Sequence, residues 1–343
     1  MADSPPRFTR PAKVVDIARH AGVSTKTVSR VLNGEPYVAD AMRKRVLEAV
    51  EELGYVTDQR ARMLRAQRSG HFGLIIPDIR NGYFAQLTNY LEKRLAPTGG
   101  LLLLGISDES PEKEERYLRH FLEQRVDGLV ILPAGADSLA QFARAIPTVI
   151  LDRTFPGLED IADHVLVNDE LAAYTLTRHL IDQHHLERIA LIAGEESISS
   201  VAARRAGYLR AMAEAELEPI ESAGHLSAES AAAASNQLFR KLERPFGVFC
   251  TGNRMFLGAE AALRRRKIEV PEEAAVATFG GSIERYSAQS LPTQAVLPVQ
   301  TMVARAMQLL TERVNRPEQP IRQVRLDCDI EYGSTCGCVS SRW

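Results

Sequence analysis

Thr25, Lys26 and Arg30 stand at the start of one short amphipathic segment, and their side chains are of the types that read DNA. Arg and Lys pair with the guanine edge, while Thr bonds a base or touches a thymine methyl. Ser29 and Asn33 carry a hydroxyl and an amide suited to phosphate contacts, which fix register without reading sequence. A second group, Asp78, Arg80, Asp152, Arg153, Arg204, Asn253 and Arg254, is dispersed over the remaining chain. Brought together, its guanidinium groups would grip a phosphate or carboxylate bidentately. Taken singly, each of these arginines reads as a surface or salt-bridged residue.

The elements that position the first group are legible locally. Val14, Ile17, Ala18 and Ala21 recur at spacings of three and four, an apolar helical stripe that ends at Gly22. Ser24 is placed to cap a second helix, Thr25 to Asn33, whose Val28, Val31 and Leu32 face the first. Two helices joined by a short Gly-containing turn make a helix-turn-helix, which offers the start of its second helix to the major groove. A third helix, Asp40 to Leu53, is expected to close the core with Val46, Leu47, Val50 and Leu53. A basic segment follows, with Arg62, Leu64, Arg65 and Arg68. Residues 1–70 carry 13 Lys and Arg against 8 Asp and Glu, whereas the rest carries 29 against 36. A basic head on an acidic body favours polyphosphate at one end only.

Beyond Gly70 the pattern becomes α/β. Apolar, β-rich runs at 72–77, 101–106, 128–132, 148–151, 188–193, 246–250 and 274–279 are mostly separated by helical stretches, which implies parallel sheets covered on both faces. These strands are too many for one lobe, and Asn168 to Leu171 is the expected crossing to a second. Ligands of such sheets bind beyond the carboxyl ends of the strands, where the dispersed arginines stand.

Composition narrows the alternatives. With 343 residues, 45% of them hydrophobic, and no apolar run long enough to span a bilayer, the chain suits a small head and a two-lobed body. Residues 1–12 are Pro- and Arg-rich without an apolar core, so they read as a disordered leader rather than a signal peptide, and a cytoplasmic location is expected. Cys250, Cys328, Cys336 and Cys338 make no disulfide framework. Cys336-Gly337-Cys338 has no His or third Cys at zinc-like local spacing and reads as a reduced tail without metal, and His184-His185 reads as a solvated helix end. No P-loop, nucleophile elbow, zincin motif or dinucleotide fingerprint is present, so neither an enzyme nor a cofactor is expected.

Val14-Val15-Asp16-Ile17-Ala18, Ala21-Gly22-Val23-Ser24, Thr27 to Gly34, Glu52-Leu53-Gly54-Tyr55 and Ala61 to Arg65 resemble the head of the lactose-repressor (LacI/GalR) family. The resemblance continues through Ile76-Pro77-Asp78 with Asn81 and Phe84, Val126-Asp127-Gly128, Leu151-Asp152-Arg153, Arg204 before Gly207-Tyr208, Val270-Pro271-Glu272 and Gly333-Ser334-Thr335. It implies an all-α helix-turn-helix head (13–56), a hinge helix (57–70) and a two-lobed, periplasmic-binding-protein-like α/β body (71–343). The amino-terminal lobe is expected over about 71–168 and 298–325, and the other over about 169–297 and 326–343. It further implies a homodimer or tetramer on double-stranded operator DNA, with Leu64 wedged into the minor groove beside Arg62. A small-molecule effector would lie between the lobes, against Asp78, Arg80, Tyr83, Phe84, Asp152, Arg153, Asn168, Arg204, Asn253 and Arg254.

Departures from the family bear on that effector. Sugar-binding members carry Asn-Asp after the strand ending here at Cys250 and Gly-Phe-Asp at the strand ending here at Phe279; this chain has Gly252-Asn253 and Thr278-Phe279-Gly280. Among branches the body most resembles the fructose repressor, through Asn89-Tyr90-Leu91-Glu92, Gln124-Arg125-Val126-Asp127 and Ala277-Thr278-Phe279-Gly280. The expectation is a repressor of carbohydrate metabolism answering to a sugar phosphate or another anion. A neutral sugar or sugar acid, a vestigial cleft worked by a protein partner, and a sugar-phosphate enzyme are the alternatives.

Overall fold

The computed structural model describes residues 12–32, 35–55, 68–224, 227–280 and 291–338. The chain divides at Arg68 into two units, a head and a body.

In the head, α1 (Val14–Ala21), α2 (Thr25–Leu32) and α3 (Asp40–Glu52) enclose Ile17, Val28 and Val46, all without exposed surface. Gly22 ends α1 at φ +63°, the left-handed conformation that a Cβ disfavours, and its N–H bonds the carbonyl of Ala18. Ser24 Oγ accepts the Thr27 N–H at 3.1 Å, so the expected cap forms. Leu47 is a correction: it is 50% exposed, and Ala49 is buried instead. Val46, Ala49, Val50 and Leu53 follow the spacing of one helical stripe, and Leu47 lies about 100° away from Val46 around α3.

Among its described residues the body forms two six-stranded sheets. The first comprises β1 (His71–Ile76), β2 (Leu101–Ile106), β3 (Gly128–Ile131), β4 (Thr148–Asp152), β5 (Asp163–Val167) and β11 (Gln323–Leu326), in the order β11-β5-β4-β3-β1-β2 and wholly parallel. The second comprises β6 (Ile189–Ile192), β7 (Ile220–Ser222), β8 (Phe246–Cys250), β9 (Ala274–Phe279), β10 (Thr293–Val296) and β12 (Asp329–Glu331), in the order β12-β10-β9-β8-β6-β7, with only β12 antiparallel. Strands β3, β4, β8 and β9 are buried along their whole length, as expected where helices cover both faces of a parallel sheet.

The intervening helices are α4 (Gly82–Leu95), α5 (Pro111–Glu123), α6 (Asp137–Phe142), α7 (Asp169–Asp182), α8 (Ser199–Glu214), α9 (Ala228–Leu238), α10 (Asn253–Arg265) and α11 (Val299–Asn315). The chain changes lobe at Asn168, between β10 and α11, and between β11 and β12. Both sheets reverse strand order beside their first strand, β1 or β6, which opens a crevice at the carboxyl ends there. Among the described residues no helix is long and apolar enough to cross a membrane.

Candidate functional site

Thr25, Lys26 and Arg30 are exposed on α2 and Ser29 is half-buried. The Ser24 cap and the packing of Val28 and Val31 on the core fix which face of α2 turns outward. Arg30 Nε lies 3.5 Å from Glu35 Oε2 in an exposed ion pair, and Arg43 Nη2 donates to the Glu35 carbonyl at 2.8 Å. An exposed pair of this kind contributes little and exchanges readily for phosphate or a base edge. Asn33, Arg62 and Leu64, most of the expected hinge and all but the last residue of the leader lie outside the described residues.

In the body, a cavity of about 150 Å³ lies where the carboxyl ends of both sheets meet. Seven expected residues line it: Tyr83, Phe84, Asp152, Arg153, Arg204, Asn253 and Arg254. Asp78 and Arg80 line a neighbouring pocket. Asn168 is elsewhere, at the lobe crossing, where its side-chain amide donates to Asp327 and it borders a third pocket of about 540 Å³.

Local backbone geometry aims several of these groups. Asp152 adopts φ +71°, and the Arg153 N–H bonds the Leu151 carbonyl at 2.8 Å, a tight positive-φ turn that costs about 1–3 kcal/mol in a non-glycine residue. Tyr83 Oη donates to Asp152 Oδ1 at 3.0 Å and holds that turn against α4. Gly280 has φ +115°, and a Cβ there would come within 2.6 Å of Asn253 Oδ1, so glycine is what lets Asn253 reach this wall.

The cleft is not simply basic, which corrects the expectation from strand ends. Arg153 makes two bonds to Glu109, at 2.7 and 3.2 Å. Arg204 Nε donates to Asp169 at 2.7 Å and Nη1 to the Thr251 carbonyl at 2.8 Å, with its guanidinium 3.7 Å over the Phe279 ring. Arg80 donates twice to Asp78 at 3.0 Å, and Arg254 reaches the same carboxylate from the other lobe. Burial would raise the Asp78 carboxyl, but the bonds from Arg80 and the charge of Arg254 leave it below its ordinary value. Burial dominates at Asp169 and lifts its carboxyl to about 6 despite Arg204. Arg153 Nε and Asn253 Oδ1 are buried with no hydrogen-bond partner among the described residues, one donor and one acceptor.

Among the described residues, contacts from two side chains join the lobes at the cavity rim. Besides Arg254 with Asp78, the Thr154 N–H donates to Ser199 Oγ at 2.9 Å. Glu109, Asp169, Thr251 and Ser199 are not among the site residues expected from the sequence, and Phe279 enters that reading only within the departure Thr278-Phe279-Gly280. Glu109 follows the end of β2 by three residues, so the strand-end rule applied to that strand would have found it. Asp169 follows the end of β5 by two residues, but β5 opens with Asp163 and His164 and does not read as a strand.

Residues 13–58 match the model of the lacI family of bacterial regulatory proteins, and residues 177–336 match that of a periplasmic binding protein-like domain. The HTH-type transcriptional repressor PurR of Vibrio atlanticus is 30% identical over 332 residues, covering 94% of this chain and 98% of that protein. The repressor of the same name from Klebsiella pneumoniae is 32% identical over 317 residues, covering 90% and 92%. Among solved structures, a lac repressor dimer bound to operator and the anti-inducer ONPF superposes with a TM-score of 0.84 at 22% identity, covering 95% of this chain and 99% of that one. The complex of the transcriptional regulator CelR with cellobiose gives 0.70 at 25% identity, covering 95% and 100%.

Proposed function

The chain belongs to the lacI family of DNA-binding transcriptional repressors, and we propose that it is a homodimer whose operator affinity is set by a small anionic effector in the inter-lobe cavity. The observation that carries this reading is the Asp78–Arg254 pair across the cavity mouth. An effector carboxylate or phosphate that takes Arg254 from Asp78 replaces a protein contact between the lobes with one made through ligand. Its affinity then differs between lobe arrangements, and only such a difference can shift their balance. Arg153 Nε and Asn253 Oδ1 supply one further donor and one acceptor for it.

A sugar phosphate fits this chemistry, and the likeness of the body to the fructose-repressor branch supports control of carbohydrate metabolism. The cavity of about 150 Å³ is below the range of about 300–1,000 Å³ usual for drug-sized ligands, so the lobes must part to admit one. The aromatic wall of Tyr83, Phe84 and Phe279 favours a second reading, a flat nitrogen heterocycle stacked between rings. The dimer is supported by the edge strand β2, which exposes Leu101 and Leu104, and by the reach of one recognition helix, which spans only a half-site. Arg62 and Leu64 would follow the head into the operator, Leu64 as a wedge between base pairs.

A thermal-shift panel of sugar phosphates, sugar acids, nucleobases and neutral sugars tests the effector class. At about 100 times its dissociation constant a ligand stabilises by about 2.7 kcal/mol. An anion should give the largest shift, and Arg254→Gln should abolish it. A response to neutral sugars alone overturns the anionic reading, and a response to nucleobases alone establishes the stacked one.

A further inference from the structure

The carboxyl-terminal tail does not end as an isolated pair of thiols. His179 stands in the last turn of α7, and His184 follows just after the helix has ended, before the chain turns at His185, φ +53°. Cys336 and Cys338 flank Gly337, whose φ of +89° makes a bend tight enough for both sulfurs to face one way. His179 Nε2 is 3.2 Å from His184 Nε2, 3.4 Å from Cys336 Sγ and 3.5 Å from Cys338 Sγ. His184 Nε2 is 3.6 Å from Cys338 Sγ, a residue 154 positions away, and all four atoms lie within 4.8 Å of one another.

Hydrogen bonding does not explain this set. A ring nitrogen offers one proton or one lone pair, yet His179 Nε2 faces three partners at once. A metal does explain it. With Zn–N of about 2.05 Å and Zn–S of about 2.3 Å, tetrahedral ligation requires N–N edges of about 3.3 Å, N–S edges of about 3.5 Å and S–S edges of about 3.8 Å. We propose that His179, His184, Cys336 and Cys338 form a closed, four-ligand zinc site that fastens the tail to the end of α7.

The surroundings suit that role. Cys336 is 2% exposed and the other three are half-buried, which restricts water at the centre. The Tyr332 ring packs on the His179 imidazole with centroids 4.3 Å apart and fixes its plane. Thr293 Oγ1 lies 2.8 Å from Cys336 Sγ, and with a thiolate there its hydroxyl would turn its proton from the Gly333 carbonyl to the sulfur, as outer-shell donors do. Thiolate with imidazole is a ligand set for zinc rather than for the oxygen-seeking cations. The spacing H-x4-H is ordinary for zinc, whereas Cys-x-Cys is shorter than usual, and Gly337 accommodates the difference. The histidines are therefore neither a solvated helix end nor remote from the thiols.

The full chain, purified without chelator, should hold one zinc per chain by elemental mass spectrometry. Replacement by cobalt(II) should give the intense visible bands of tetrahedral coordination and thiolate-to-metal charge transfer. In competition with a chromophoric chelator, Cys338→Ser and His184→Ala should weaken zinc binding by more than the about 10–100-fold typical of outer-shell losses, whereas Cys250→Ser should not. Both altered side chains are half-buried, and operator binding with far-ultraviolet dichroism verifies that each variant is folded. Substoichiometric zinc, an octahedral cobalt spectrum, or equal affinity in the folded variants overturns the proposal.

Discussion

Replacing Arg204 with Met tests whether the cleft arginines are held by the protein's own carboxylates. Arg204 and Asp169 have side chains 9% and 5% exposed. Met keeps an apolar stem on Phe279 but leaves the Asp169 carboxylate unpaired. Breaking a buried pair in this way costs about 3–5 kcal/mol. The cost depends on pH, with a sign the structure sets. Asp169 titrates at about 6 in the fold against 3.8 for a free carboxyl, so its contribution to stability is greatest below about 3.8 and is lost as pH rises through about 6. Without Arg204 the folded value moves higher still, and the carboxyl keeps its proton at lower pH instead of lying there charged. Urea unfolding at about pH 8 should therefore show most of the about 3–5 kcal/mol loss, and at about pH 5 a smaller one. Asp169→Asn in the same chain should recover a large part at about pH 8, because the unpaired charge is gone. Equal losses at both pH values with no recovery would refute the reasoning and leave Arg204 acting only through Phe279 and the Thr251 carbonyl.

Gly258→Ala should destabilise the body by about 1–3 kcal/mol in chemical unfolding, since a Cβ there would lie 2.6 Å from both the Ala228 carbonyl and the Ala231 methyl, neither of which can turn aside. Glu114, raised by burial to about 7 from 4.5, contributes most below about 4.5 and loses that contribution as pH rises through about 7. Glu114→Gln should flatten the stability profile between those values, while keeping an acceptor for the Ala134 N–H. Arg30→Ala should cost about 1–3 kcal/mol in operator binding and relax base preference, as measured by selection from random duplexes. A uniform loss on all sequences would make Arg30 a phosphate contact instead.

The head was legible because its signals are local: a Ser cap, a glycine at φ +63° and apolar spacing within each helix. Only Leu47 was misplaced, where hydrophobicity outran helical phase. Six of the seven strands read from apolar runs have buried interiors, and the seventh, β2, is apolar along a part-exposed edge. β5 escaped because it opens with Asp163 and His164, and the buried Asp163 is paired by Arg313, 150 residues away, and by the Arg322 N–H. β7 and β12 are three residues each, and β11 alternates polar and apolar residues along a half-exposed edge. At the cleft, strand ends located the arginines and Asp78, but not Glu109 and Asp169, which meet Arg153 and Arg204 only through tertiary structure. Asn168 enters the expected site through the family resemblance, whereas in the structure it serves the crossing to the second lobe, which the sequence also places there. His179 and His184 lie about as far from Cys336 and Cys338 as the chain allows within one lobe, so local spacing could not connect them.

Operator affinity measured with and without the ligand that most stabilises the body tests the regulatory claim most directly. Fluorescence anisotropy on a duplex selected by the protein itself, repeated with that ligand at saturation, should show a change of about 5–150-fold, a coupling of about 1–3 kcal/mol. The change should vanish in Arg254→Gln while binding without ligand persists. A ligand that stabilises the body through the cavity yet leaves operator affinity unaltered would contradict it.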